Sequence, residues 1–134
     1  MDWIAEYKKD KPFATVVTAG DFSLEDHARM IEDIVSRDFW KPGLDVLFDH
    51  RNLHFGFTTV EIMKRASANH ERNDERIGDG KAAILMKSLV DFGRGRQFEM
   101  VASDKVSAKL KIFLDEESAV NWLLSGELPP IQKG

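Results

Sequence analysis

The chain has 134 residues and a mass of 15.3 kDa, with 43% hydrophobic and 31% charged residues, a balance that excludes disordered and membrane-embedded classes and suits one domain over residues 1–134. A formal charge of -4 gives no basis for nucleic acid or an anionic lipid surface as a main partner. Cysteine is absent, which excludes disulfides, thiolate nucleophiles and cysteine-ligated metal.

The opening Met1 to Lys9 has neither the apolar centre of a signal peptide nor a run able to span a bilayer, so a cytoplasmic location is expected. Trp3 to Tyr7 and Phe13 to Thr18 read as strands, and the polar, proline-bearing Lys8 to Pro12 between them suits a hairpin with its first member at a sheet edge. Ser23 is a helix N-cap with Glu25 and Asp26 in the first turn. Leu24, Ala28, Ile31 and Val35 then recur on one helical face, up to a stop near Ser36 to Phe39 ahead of Pro42-Gly43.

Leu44 to Phe48 is nearly all apolar and predicts an interior strand, followed by a loop from Asp49 to Phe57. Thr58 and Glu61 have capping-box spacing at the start of a helix through Met63 and Ala66, whose second half, Asn69 to Arg76, is expected to be solvated. Its charges repel at i,i+4, Glu71 against Glu75 and Arg72 against Arg76, which suits a solvated helix end. Lys81 to Met86 is a second interior strand, Ser88 to Gly95 a loop, and Phe98, Val101 and Ala102 one face of a short helix. Lys109 to Leu114 alternates as a strand with one wetter face. Asp115 caps a last helix with the core stripe Ala119, Val120, Leu123 and Leu124, ended by Gly126 and Pro129-Pro130. The order ββαβαβαβα predicts an α/β fold with a single mixed sheet of about five strands and four helices.

Two clusters carry candidate chemistry. Asp49, His50, Arg51 and His54 lie beyond the carboxyl end of a strand, where open α/β sheets place ligands. In one reading His50 or His54 carries a proton or binds a metal, with Asp49 orienting the ring and Arg51 holding an anion. In the other they are solvated loop residues while Leu53, Phe55 and Phe57 cover the sheet edge. Two histidines lack the third ligand that would define zinc, so no metal or other cofactor is expected. In Gly93-Arg94-Gly95-Arg96, two glycines before a helix can expose backbone amides to an anion gripped by Arg94 and Arg96. The alternative is a flexible loop with solvated arginines. No nucleophile elbow occurs, and Trp3, Trp40 and Trp122 read as packing residues.

The phrase Leu44-Asp45-Val46-Leu47-Phe48-Asp49, the segment Gly93 to Glu99 and the ending Phe113-x-Asp115-x-x-x-Ala119-x-x-Trp122-Leu123 resemble the SpoIIAA-like family, in the neighbourhood of the STAS and CRAL-TRIO (Sec14-like) groups. The resemblance covers nearly the whole chain. It implies a STAS-like fold and a test at the junction after the third strand, where anti-sigma-factor antagonists of the STAS class carry D-S-[ST]-G with a phosphorylatable hydroxyl. Phe57-Thr58-Thr59-Val60 keeps the hydroxyls without the acid and the glycine, which weakens a kinase switch.

The expected function is a non-enzymatic binding or regulatory module. Its surface would comprise Asp49, His50, Arg51, His54, Thr58, Thr59, Arg94 and Arg96, for a protein partner or a small anionic or apolar ligand, with a homodimer possible. The alternative, implied by the Sec14-like side of the resemblance, is a small carrier of an apolar or lipid-like ligand, with Phe55, Phe57, Phe92 and Phe98 lining its cavity.

Overall fold

Lys8 to Pro12 closes a hairpin between β1 (Asp2–Glu6) and β2 (Phe13–Asp21), the Lys11 amide donating to the Lys8 carbonyl at 3.1 Å. A computed structural model, which describes residues 1–56 and 58–128, places this hairpin at one edge of a five-stranded sheet. β1 runs antiparallel to β2. From there β2, β3 (Asp45–His54), β4 (Lys81–Leu85) and β5 (Lys109–Phe113) are parallel, in the spatial order 1-2-3-4-5. Phe57, Pro129 and Pro130, singled out above, lie outside the described residues.

Each parallel step needs a crossover, supplied by α1 (Leu24–Val35), by α2 (Val60–Arg72) with the short α3 (Asp74–Ile77), and by α4 (Leu89–Ala102). Crossovers of one hand that always advance in the same direction put every connecting helix on the same face. Accordingly Met30 and Ile34 of α1 and Ala102 of α4 share a core with Val16, Val46, Phe48, Ile84 and Ile112 of the sheet. The opposite face is left to α5 (Glu116–Ser125), where Ala119, Trp122 and Leu123 pack on Phe13, Leu47, Leu85 and Phe113. Gly126, at φ 76°, ends α5 as a left-handed cap. Lys81 Nζ donates to the last-turn carbonyls of Trp122 (3.2 Å), which also accepts the Gly126 amide, and Leu123 (2.7 Å).

The mixed five-stranded α/β architecture agrees with the expectation, and several local features depart from it. Among the described residues there are five helices, because the backbone breaks at Asn73 and Asp74 starts a separate turn. The buried stripe of α1 is His27, Met30, Ile31 and Ile34, rotated from the one expected. The second half of α2 is not solvated throughout. α2 is flanked by α1 and α4, and Ser67, Asn69 and His70 are buried there. Helix α4 begins at Leu89, capped by the Ser88 hydroxyl accepting from the Asp91 amide at 3.1 Å, so the expected loop from Ser88 to Gly95 is helical. A Cβ on Gly95 would stand 2.9 Å from Ile112 Cγ2, so this glycine lets α4 approach β5 and does not open a backbone nest. Strand β3 runs past Phe48 to His54, and the expected loop residues Asp49 to His54 belong to the sheet. Trp3 and Trp40 pack as expected, their indole N–H groups donating to Asp33 Oδ2 (2.8 Å) and the Arg76 carbonyl (2.7 Å).

Candidate functional site

A β-bulge lies at the site. Val17 pairs with Asp49 and Ala19 with Asn52, so Thr18 of β2 stands against both His50 and Arg51 of β3. Successive side chains of β3 go to opposite faces, as Leu47 on the α5 side and Phe48 on the helical side already do. Asp49 and Arg51 face the α5 side, where Arg51 binds Asp49 (2.9 and 2.8 Å) and reaches Glu116 at 2.9 Å. The guanidinium holds the Asp49 carboxyl below its ordinary range, and Asp49 with Glu116 raises Arg51. Asp49 therefore does not orient a histidine, and Arg51 is committed to two carboxylates.

His50 faces the helical side and lines a cavity of about 70 Å³ between the sheet and α1, α2 and α4. Its walls include Phe22, Phe55 and Phe98, the flexible Met30, Met63 and Met86, and the polar residues His27, His50, Thr58, His70 and Arg94. An adjoining hollow of about 30 Å³ shares Phe48, His70 and Leu110 with it. Aromatic rings and imidazoles form a continuous series around the walls. Phe48 to His50 (5.7 Å), His50 to Phe55 (6.1 Å), Phe55 to Phe22 (5.8 Å), Phe22 to His27 (5.7 Å), His27 to His70 (5.2 Å) and His70 to Phe98 (5.5 Å) are all in ring contact.

The hydrogen bonds fix two of the imidazoles. Thr18 Oγ1 lies 2.7 Å from His50 Nδ1 and 3.2 Å from the Asp49 carbonyl oxygen. A carbonyl only accepts, so both contacts are hydrogen bonds only if Thr18 donates to Asp49 and His50 Nδ1–H donates to Thr18. His50 Nε2 is then a bare acceptor. Around His27, the Arg72 guanidinium donates to Asn69 Oδ1, which turns the Asn69 amide nitrogen toward His27 Nδ1 at 2.9 Å. Arginine has no acceptor, so the amide orientation is set, Nδ1 accepts, and the His27 proton is on Nε2. The His70 ring has no hydrogen-bond partner among the described residues and is only 8% exposed.

Burial lowers all three imidazoles, His50 and His70 to about 4 and His27 well below the usual histidine range, the last also through repulsion from His70 and His50. Near neutral pH the trio is uncharged. The one cationic side chain on the wall, Arg94, is half-buried and bonded to Asp91 at 3.1 Å. Among the described residues no group of three or more histidines and carboxylates is placed to hold a metal ion.

Of the eight residues expected at the site, His50, Thr58 and Arg94 are brought together and five are not. Asp49 and Arg51 are across the sheet, His54 is exposed at the end of β3, and Arg96 is exposed and bonded to Glu99 at 3.2 Å. Thr59, not Thr58, caps α2, accepting from the Ile62 amide at 3.2 Å. The capping box with Glu61 is thus absent, and Thr58 instead donates to the Phe55 carbonyl at 2.5 Å. Of the expected aromatic lining, Phe55 and Phe98 are present, while Phe92 packs in the core beside the cavity. Sequence reasoning missed His27 and His70. His27 continues the stripe Met30, Ile31 and Ile34 at i+3, i+4 and i+7, a signal that a histidine on an apolar face faces inward.

Neither the protein-family models nor the curated proteins contain a match to this chain. Among solved structures, it is similar to an uncharacterized protein of the DUF3478 family with a SpoIIAA-like fold from Shewanella loihica PV-4. The two share 16% identity over 91% of this chain and 92% of that one, with a TM-score of 0.57. The match lends nothing to the CRAL-TRIO (Sec14-like) part of the resemblance. No helix among the described residues is long and apolar enough to cross a membrane. With its strand order, crossovers and near-complete structural overlap, the chain has a SpoIIAA-like α/β fold.

Proposed function

We propose that this protein is a non-enzymatic binding module whose ligand is a small, mainly apolar molecule held in the cavity between the sheet and helices α1, α2 and α4. The observation that carries the reading is the cavity itself. Four phenylalanine rings and three methionines line it beside a few convergent polar groups, the composition typical of small-molecule sites. Its 70 Å³ is about half the 150 Å³ that admits benzene in an engineered core. The occupant is therefore a single ring or a short chain, admitted as the methionines yield, and not a whole lipid.

Two features support a binding role over catalysis. The Thr18 hydroxyl beside His50 is fully buried and donates to a carbonyl, so it is no nucleophile for an incoming substrate. The Thr59 hydroxyl is engaged as a helix cap, which argues against a phosphorylation switch there. The test is a toluene titration followed by methyl NMR of Met30, Met63 and Met86. Saturable shifts confined to these methyls and their neighbours are expected, and unchanged spectra up to the solubility limit would reject the cavity as a binding site.

A further inference from the structure

The polar wall of the cavity is asymmetric in a way that selects ligand chemistry, an inference that rests on the cavity being a binding site. Thr18 commits the proton of His50 to Nδ1, and Asn69, held by Arg72, commits the proton of His27 to Nε2. One wall residue thus offers a bare nitrogen acceptor and another an N–H donor, both on imidazoles that line the same cavity. A third imidazole, His70, is nine-tenths buried without a hydrogen-bond partner among the described residues. His27 and His70 are buried and His50 is half-buried, and polar groups withdrawn from water to this extent favour a ligand that meets them. The partner they call for carries no charge. All three rings are neutral near pH 7, and Arg94, the one cation on the wall, already has the Asp91 carboxylate. A bound carboxylate or phosphate would put an uncompensated negative charge against Phe22, Phe55, Phe98 and a bare imidazole nitrogen.

We propose that the cavity is selective for a small uncharged molecule bearing a hydroxyl on an apolar ring or chain, the hydroxyl donating to His50 Nε2 and accepting from His27 Nε2–H. A hydroxyl is the smallest neutral group that is donor and acceptor at one atom, matching the two imidazoles. Thr18 acts as a positioning residue, since it sets which His50 nitrogen the ligand meets.

Three probes of one shape, phenol, toluene and benzoate, separate the possibilities when titrated near pH 7.5 and followed by NMR. Phenol is expected to bind about fivefold or more tightly than toluene, the increment of one or two neutral hydrogen bonds, and benzoate more weakly than both. Equal affinity for phenol and toluene would overturn the hydroxyl selection while leaving the cavity a binding site. Tightest binding of benzoate would overturn it in favour of Arg94 as an anion reader. Binding of none of the three would overturn the cavity reading and this inference with it. Independently of any variant, histidine 15N spectra of the unliganded protein should show Nδ1–H at His50 and Nε2–H at His27, and the reverse tautomers would overturn the assignment. Thr18→Val should reduce the preference for phenol with toluene affinity kept, and Thr18→Ser should retain it. A preference unmoved in a folded Thr18→Val protein would remove Thr18 from the argument and overturn its positioning role.

Discussion

Asp49 and His50 are adjacent in the chain and live in different chemistries. On the α5 side of the sheet, Asp49, Arg51 and the exposed Glu116 form a charged cluster in contact with water. On the helical side, His50 joins His27 and His70 in a cavity where every imidazole is kept neutral by burial. One residue of displacement along β3 thus separates a solvated ion pair from an uncharged polar pocket. The difference teaches that a run of ionisable residues on a strand is two half-sites, because the pleat sends alternate side chains to opposite faces.

Acid should break this comparison most strongly. The folded-state pKa of His50 and His70 is about 4, and that of His27 is also lowered, against about 6.5 in the unfolded chain. Below pH 6.5 the unfolded state therefore binds more protons, so stability is full above that value and declines as pH falls toward 4. The slope approaches about 1.4 kcal/mol per pH unit for each histidine below pH 6.5, so His50 and His70 together account for about 4 kcal/mol between pH 7 and pH 5, and His27 adds in the same direction. Asp49, across the sheet, titrates lower. The Asp49 pKa is depressed, so its contribution persists above the ordinary carboxylate range and is lost only on further acidification. Urea unfolding across this pH range should show the loss in the first window, and a flat profile from pH 7 to pH 5 would contradict neutral, buried imidazoles.

The cavity wall can be probed at two glycines of the same helix. A Cβ on Gly95 meets Ile112 Cγ2 at 2.9 Å and Met86 Cε at 3.2 Å, whereas one on Gly93 meets nothing within 4 Å. Overpacking should outweigh the helix-propensity gain at Gly95→Ala, for a net loss of about 1 kcal/mol. Gly93→Ala should stabilise by about 0.5–1 kcal/mol, because it gains propensity without a clash. Paired thermal melts decide this, and equal shifts of the two variants would show that α4 does not sit as close to β5 as described.

The smallest effect is expected on the α5 side. Arg51→Ala removes contacts to Asp49 and Glu116, but the guanidinium is 42% exposed. Solvent screening limits the cost to about 1 kcal/mol or less. Toluene binding in the cavity should be unchanged, since the sheet lies between. A change in affinity would show that the two faces are coupled through β3.

Much of the scaffold was legible in the residues. Lys8 to Pro12 announced the hairpin, the apolar runs at Leu44 to Phe48 and Lys81 to Met86 announced interior strands, and Ser23 and Asp115 announced helix starts, all of which hold. Glycine misled at Gly93 and Gly95, which both lie inside α4, and only Gly95 marks a close helix-to-sheet approach. Only part of the site could be read. His50, Thr58 and Arg94 were recognisable as polar residues near a strand end, but their partners come from α1, α2 and β2, with 42 residues separating His27 from Asn69 and 32 separating Thr18 from His50.

By itself the sequence determined the order of elements and which short stretches are apolar enough to be strands, because periodicity and capping act within a few residues. It therefore determined a mixed α/β sheet with connecting helices. Which face each ionisable side chain occupies was decided only by the tertiary structure. The alternation that sends Phe48 under the helices and Leu47 under α5 carries His50 and Asp49 to those same two faces, and crossovers of one hand place α1, α2 and α4 together over the first of them. Burial among those helices, a property of the assembled layers, is what turns three ordinary histidines into neutral donors and acceptors.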